Sequence, residues 1–405
     1  MHRSGILFVG LLMFAGLAMA ADETKQTPRF ELKDGDRVVL LGGTLIEREQ
    51  KYGHWEAMLT ARYPDRNITF RNLGWDGDTV WAESRGIFDT PEVGYARMIE
   101  QVKGLKPTVI FLGYGNNEAF AGKEGLEPFV KQYEKLIDDL TAVSADGVRF
   151  FFILPMVYDT ATSPIPDLTD LKDRVLTYAK AIREVAVRRN MPAFVQDLYP
   201  GEVDRKKFPI SPDGLHLNEP GYRNTAFWIS SQYSRLTGTE YLSSHILVKV
   251  DRTLNQSTYK PFEVTFKDGG VVFEATREYL NADSFLLLLE GLTDDRHTLF
   301  VDSRPLRTAT GKQWREEVGN MTNHPDRDQY EALREAIIAK KELYFHSWRP
   351  QNVTYLFGFR KHEQGQNAKE TAEFAKLVAE KEAEIARLKK PVPHKYELTR
   401  AKVAK

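Results

Sequence analysis

Arg37-Val38-Val39-Leu40-Leu41-Gly42 is a short run of branched and apolar side chains that closes on Gly42-Gly43, ahead of Thr44 and Leu45. A run this short, apolar throughout and bounded by turn residues, reads as a strand buried on both faces, the kind found in parallel sheets. Four more runs share that texture: ITFRNL (Ile68 to Leu73), TVIFLG (Thr108 to Gly113), RFFFILP (Arg149 to Pro155) and AFVQDL (Ala193 to Leu198). Amphipathic windows separate them, near 52–63, 94–103, 127–143 and 170–189, and a last helix is expected over 221–236. Strands alternating with helices give a doubly wound domain over residues 34–237. Ligands of such sheets bind beyond the carboxyl ends of the strands. Chemistry is therefore expected in the loops that start at Gly42, Asn72, Gly113 and Pro155.

On the N-terminal side, Arg3 precedes an apolar run from Gly5 to Ala18 and a small-residue end at Ala18-Met19-Ala20. This is the grammar of an export signal over residues 1–20, cut before Ala21. The mature protein is accordingly expected to be secreted or periplasmic. The alternative, an uncleaved anchor, needs an apolar run closer to the ~20 residues that span a bilayer.

Beyond Leu236 the pattern changes: HILVKVD, PFEVTFKDGG, VVFEAT and DSFLLLLEGL predict a β-rich domain or insertion over residues 245–307. Residues 326–405 read as a helical C-terminal region that Pro391 and Pro393 interrupt before a charged tail. Phe374, Val378, Lys381, Ile385 and Leu388 recur at three-and-four spacing, the stripe of a helix docked on its own domain.

Composition limits the chemistry. The 56 Lys+Arg balance 57 Asp+Glu among 405 residues, leaving a net charge of -1 and no global field to draw in nucleic acid or an anionic surface. The absence of cysteine removes disulfides, thiolate nucleophiles and Cys-based metal sites, and the nine histidines show no zinc-binding spacing. No dinucleotide or phosphate-loop motif occurs, so no cofactor or metal is expected. Hydroxyls, carboxylates, amides and imidazoles remain.

Three strand-end motifs use those groups. In Ser211-Pro212-Asp213-Gly214-Leu215-His216, an Asp three residues before a His lets the carboxylate hold one imidazole nitrogen and leaves the other free as a general base. Asn72-Leu73-Gly74-Trp75-Asp76-Gly77-Asp78-Thr79 presents a glycine N–H, and Gly113-Tyr114-Gly115-Asn116-Asn117-Glu118 presents an asparagine amide. A backbone N–H and an Asn side chain together are the inventory of an oxyanion hole.

In these blocks residues 34 to about 237 resemble the SGNH/GDSL-type hydrolases, which implies a flavodoxin-like three-layer α/β/α core and ester hydrolysis. The resemblance places the oxyanion donors at Gly77 and Asn117, with the Thr44 N–H beside them and Asn116 as a competing amide donor. It places the base pair at Asp213 and His216. Where the family reads Gly-Asp-Ser-Leu, this chain reads Gly42-Gly43-Thr44-Leu45, so the nucleophile position holds a threonine and the adjoining acid is missing. Ser84 and Ser211 lie outside that loop, and Glu47 and Glu49 read as helix N-terminal carboxylates.

Two classes of function follow. In the first, Thr44 attacks, or positions a water that His216 activates, and an ester is cleaved, the expected substrate being a small molecule or an O-acyl (acetyl) carbohydrate. In the second, turnover is lost and the fold binds a glycan or serves as a scaffold. Trp55, Trp75, Trp81, Tyr114 and Tyr158 are candidate sugar-stacking faces around the mouth, and the segment 344–352 is expected either to complete the pocket or to pack between domains.

Overall fold

The computed structural model describes residues 30–157, 169–191, 193–194, 209–237, 245–249, 254–256, 264–267, 270–280, 286–290, 292–316, 323–350, 353–356, 358–360, 362–363 and 368–401. The expected export signal lies outside the described residues.

The first layer system is a parallel sheet of β1 (Arg37–Gly42), β2 (Thr69–Asn72), β3 (Val109–Gly113), β4 (Arg149–Ile153) and β5 (Ala193–Phe194). Its spatial order is β2-β1-β3-β4-β5, with Gly42 opposite Gly113 in register. The helices are α1 (Thr44–Tyr52), α2 (His54–Arg62), α3 (Pro91–Leu105), α4 (Leu126–Val143), α5 (Thr169–Arg188) and α6 (Glu219–Thr237). Alternate side chains of the central strands feed two cores: Val39, Leu41, Ile110 and Leu112 face α3, α4 and α5, while Val38, Leu40, Val109 and Phe111 face α2 and α6. This is the three-layer α/β/α architecture that the alternating pattern predicts.

The helix expected over 52–63 is α2, and α1 runs directly into it from the N-terminal side. Gly53 adopts φ 66°, a left-handed turn that caps α1 and starts α2.

The β-rich part holds β6 (His245–Lys249), β7 (Leu254–Gln256), β8 (Val264–Lys267), β9 (Gly270–Ala275), β10 (Leu286–Glu290), β11 (Arg296–Val301) and β12 (Arg304–Thr310). α7 (Gly311–Glu316), α8 (Pro325–Trp348), α9 (Val353–Leu356), α10 (Ala368–Thr371) and α11 (Glu373–Leu388) follow. The expected charged tail is instead a strand, β13 (His394–Arg400), and it lies in the middle of a sheet ordered β12-β11-β13-β9-β8. Its alternation explains this: His394, Tyr396 and Leu398 are buried while the lysine and glutamate between them are not. α11 packs along α8, with Ile385 and Leu388 meeting Leu333, Ile337 and Ala57.

Candidate active site

In the order β2-β1-β3-β4-β5 the chain first steps outward from β1 to β2 and then crosses back to β3, so the crevice opens between the carboxyl ends of β1 and β3. Thr44 starts α1 directly after β1, and Asn117 lies just after β3. Both line one cleft together with Asn116, Met156, Ser211 and His216.

Thr44 Oγ1 accepts the backbone N–H of Gly77 at 3.0 Å, which brings the loop after β2 to the same point. Asn117 Nδ2 donates one amide hydrogen to the Asp78 carbonyl at 2.9 Å, and an asparagine amide carries two. Asn116 is committed elsewhere: its Nδ2 donates to the Met156 carbonyl at 2.8 Å and its Oδ1 accepts the Met156 N–H at 3.1 Å. Asn116 thus ties the loop after β3 to the loop after β4, and Asn117 is the amide beside Thr44.

His216 Nδ1 meets Asp213 Oδ2 at 2.6 Å. Asp213 Oδ1 accepts the N–H groups of Leu215 and His216 at 2.9 and 2.8 Å, which folds the loop around the pair. Burial raises the Asp213 carboxyl pKa, but the His216 side chain and these two N–H groups outweigh it and hold the acid well below the ordinary carboxylate range. Ser211 does line the cleft, although the sequence sets it apart from the nucleophile loop. Its hydroxyl is buried and accepts the Gly214 N–H at 2.7 Å, a loop-forming role.

Two buried carboxylates, Asp78 and Glu118, brace the loops after β2 and β3. Asp78 pairs with Arg85 Nε at 2.7 Å and accepts the Tyr114 hydroxyl at 3.2 Å, while Arg85 Nη2 donates to the Leu73 carbonyl at 2.7 Å. Glu118 accepts the Val80 N–H at 2.9 Å and the Gly115 N–H at 2.7 Å, so one acid holds the loops after β2 and β3 together. Burial pushes the Glu118 carboxyl up to about 7.

The aromatic platforms are mostly not platforms. Trp55 is buried and donates its indole N–H to Thr225 Oγ1 at 2.7 Å. Trp75 is buried with the Arg349 guanidinium 3.6 Å above its ring, and Tyr114 is buried against Asp78. Trp81 is half-buried on the first core, and Tyr158 lies outside the described residues. The exposed aromatic in the cleft is Phe120, which periodicity alone had no reason to single out. From the segment 344–352, Trp348 and Arg349 reach Trp75, yet none of its described residues lines the cleft.

Among the described residues no group of His, Asp and Glu side chains is placed to hold a metal ion, and no helix is long and apolar enough to cross a membrane.

Residues 33–223 match the model of the GDSL-like lipase/acylhydrolase family. No curated protein matches the sequence. Among solved structures, a gut microbial diltiazem-metabolizing enzyme aligns with a TM-score of 0.67 at 15% identity, covering 93% of this chain and 100% of that one. A member of the lipolytic G-D-S-L family from Veillonella parvula aligns with a TM-score of 0.36 at 19% identity, covering 49% of this chain and 98% of that one. A lipase/acylhydrolase from Enterococcus faecalis gives a TM-score of 0.37 at 19% identity, with 50% and 96% covered. The first likeness extends the shared fold through the β-rich and C-terminal helical parts.

Proposed function

We propose that the protein hydrolyses ester bonds in the cleft between β1 and β3, a reading supported by the match of residues 33–223 to the GDSL-like lipase/acylhydrolase family model. The observation that carries this reading is that Thr44, Asn117 and His216 line one cleft, with Asp213 bonded to His216 Nδ1 and the Gly77 N–H bonded to Thr44 Oγ1.

In this reading Thr44 Oγ1 attacks the acyl carbon while His216 takes its proton, and Asp213 holds the imidazole that becomes charged. The carbonyl oxygen gains the negative charge and meets the Gly77 N–H, the second amide hydrogen of Asn117 and the Thr44 N–H, a donor that the first turn of a helix leaves open. Collapse expels the alcohol, which takes the proton from His216. Water then attacks the acyl-threonine, again with His216 as base, and frees the acid. A variant of the same chemistry has Thr44 hold a water that His216 activates for direct attack.

The finer proposal is an O-acetyl or other short O-acyl group on a carbohydrate, acted on by an exported protein. Leu45, Met156 and Val157 offer the acyl group an apolar wall. The burial of Trp55, Trp75 and Tyr114 leaves the glycan-binding alternative without three of its five stacking faces.

The test is hydrolysis of an aryl acetate and of acetylated xylo-oligosaccharides by the mature protein. Thr44→Ala and His216→Ala are each expected to abolish turnover, Asn117→Ala to lower kcat by about 10²–10³, and Thr44→Ser to raise it. Activity lost at His216 but kept in Thr44→Ala assigns the attack to water. Equal rates in all variants overturn the hydrolase reading, and cleavage of the aryl ester alone overturns the carbohydrate one.

A further inference from the structure

The Gly77 N–H can serve an oxyanion only if the loop after β2 is held at a fixed height over Thr44. One support comes from far along the chain. Glu47, in the first turn of α1, accepts the N–H of Asp76, the residue next to Gly77. The same carboxylate oxygen pairs with Arg349 Nη1 at 2.8 Å. Arg349 is the C-cap of α8, and its guanidinium lies 3.6 Å from the ring centroid of Trp75, one residue before Asp76. Trp348 meets the same indole at 5.8 Å. The loop is also pressed against α1: a Cβ on Gly74 would collide with the Glu47 backbone. Successive N–H groups of one loop thus point at Glu47 and Thr44, residues three apart on a single helical turn.

We propose that Arg349 and Glu47 are positioning residues that set the Gly77 oxyanion donor, so the end of α8, outside residues 33–223, completes the site. The proposal rests on the ester-hydrolase reading for its kinetic consequence but not for its structural one. Glu47 is three-quarters or more screened from solvent, and so is Arg349, which lets the pair act as a fixed strut rather than a fluctuating surface contact. A donor displaced by about 1 Å can cost about 10²-fold in rate while leaving substrate binding nearly intact.

Arg349→Met, Arg349→Lys and Glu47→Ala are compared with the unaltered full chain. For aryl acetate hydrolysis, Arg349→Met and Glu47→Ala are expected to lower kcat by about 30- to 100-fold with KM changed less than about threefold. Arg349→Lys should recover part of that loss, and the Glu47→Ala/Arg349→Met pair should be no worse than the poorer single variant, since both break one link. Independently of turnover, amide hydrogen exchange over residues 73–80 should quicken at least tenfold in Arg349→Met while exchange over β3 stays unchanged. Unaltered exchange at 73–80, or kcat within twofold in a folded Arg349→Met, overturns the proposal. An unaltered protein that hydrolyses no ester overturns the function instead, and the exchange measurement still decides the strut.

Discussion

Asp213 and His216 are legible in the sequence because their geometry is local: three residues of one turn place carboxylate and imidazole 2.6 Å apart with no help from the rest of the chain. Asn117 is harder, since the choice between it and Asn116 turns on Met156, forty residues later, which claims both ends of the Asn116 amide. Glu118 is invisible as a functional residue, because only burial and two backbone donors distinguish it from a surface glutamate. It supplies a pH prediction. Its folded pKa, about 7, exceeds the ordinary carboxylate value, so the folded state binds the proton more tightly than the unfolded one. The resulting stability is present at low pH and is lost as pH rises through about 7. Thermal melts should show Tm falling between pH 5 and 7.5 in the unaltered chain, and Glu118→Gln should flatten that slope. A slope that survives the substitution assigns it to another group.

α8 shows what periodicity leaves out. Its apolar residues Leu333, Ala336 and Ile337 mark a helix that docks, and they meet Ala57 and Ala61 of α2, but buried ion pairs add to that hold. Lys340 pairs with Glu56 of α2 and Lys341 with Glu49 of α1, all four buried. Glu49, read from the sequence as a helix-start carboxylate, also accepts the Trp55 N–H at 2.9 Å, and so fastens α1 to α2 across the Gly53 break. Burial raises the Glu49 pKa, and Lys341 works against that rise. Removing one partner of such a pair strands a charge in the interior, at a cost of about 3–5 kcal/mol, whereas replacing both removes most of that cost. Lys341→Met should therefore destabilise by about that amount in denaturant titrations, and Glu49→Gln/Lys341→Met should recover much of it. β1 was readable to its last residue because a doubly buried strand has no other pattern. β13 was not, because a polar-apolar alternation after two prolines looks like a solvated end until a sheet is there to receive it.

At the scale of the whole molecule α8 spans the distance between the parallel sheet and the sheet that holds β13. Its N-cap, His324, donates or accepts at the Tyr396 hydroxyl of β13 at 2.9 Å, and Asp326 in its first turn pairs with Arg277 at 2.6 Å and with His394 at 3.1 Å. Its other end reaches Glu47 and Trp75 beside the cleft. β13 pairs with β9 on one side and β11 on the other, so removing residues 390–405 would split the sheet into two hairpins, β8–β9 and β11–β12, each with a bare edge, and unroof Leu299, Phe273 and Val301. Such a truncation is expected to move the protein from a single species to aggregates in size-exclusion chromatography. A monodisperse product that keeps its β-sheet circular dichroism would show the outer strands closing without it.

The central place of β13 also sets a schedule for biosynthesis. The parallel sheet can assemble while translation continues, but β9 and β11 emerge from the ribosome long before the strand that separates them in the finished sheet. During that interval their unpaired edges face each other and other nascent chains, and Lys341 has yet to reach Glu49, 292 residues behind it. A stall or a nonsense codon late in the message would therefore release a chain whose cleft loops are made and whose β13-centred sheet cannot close, a target for chaperones and proteases rather than a shorter working protein.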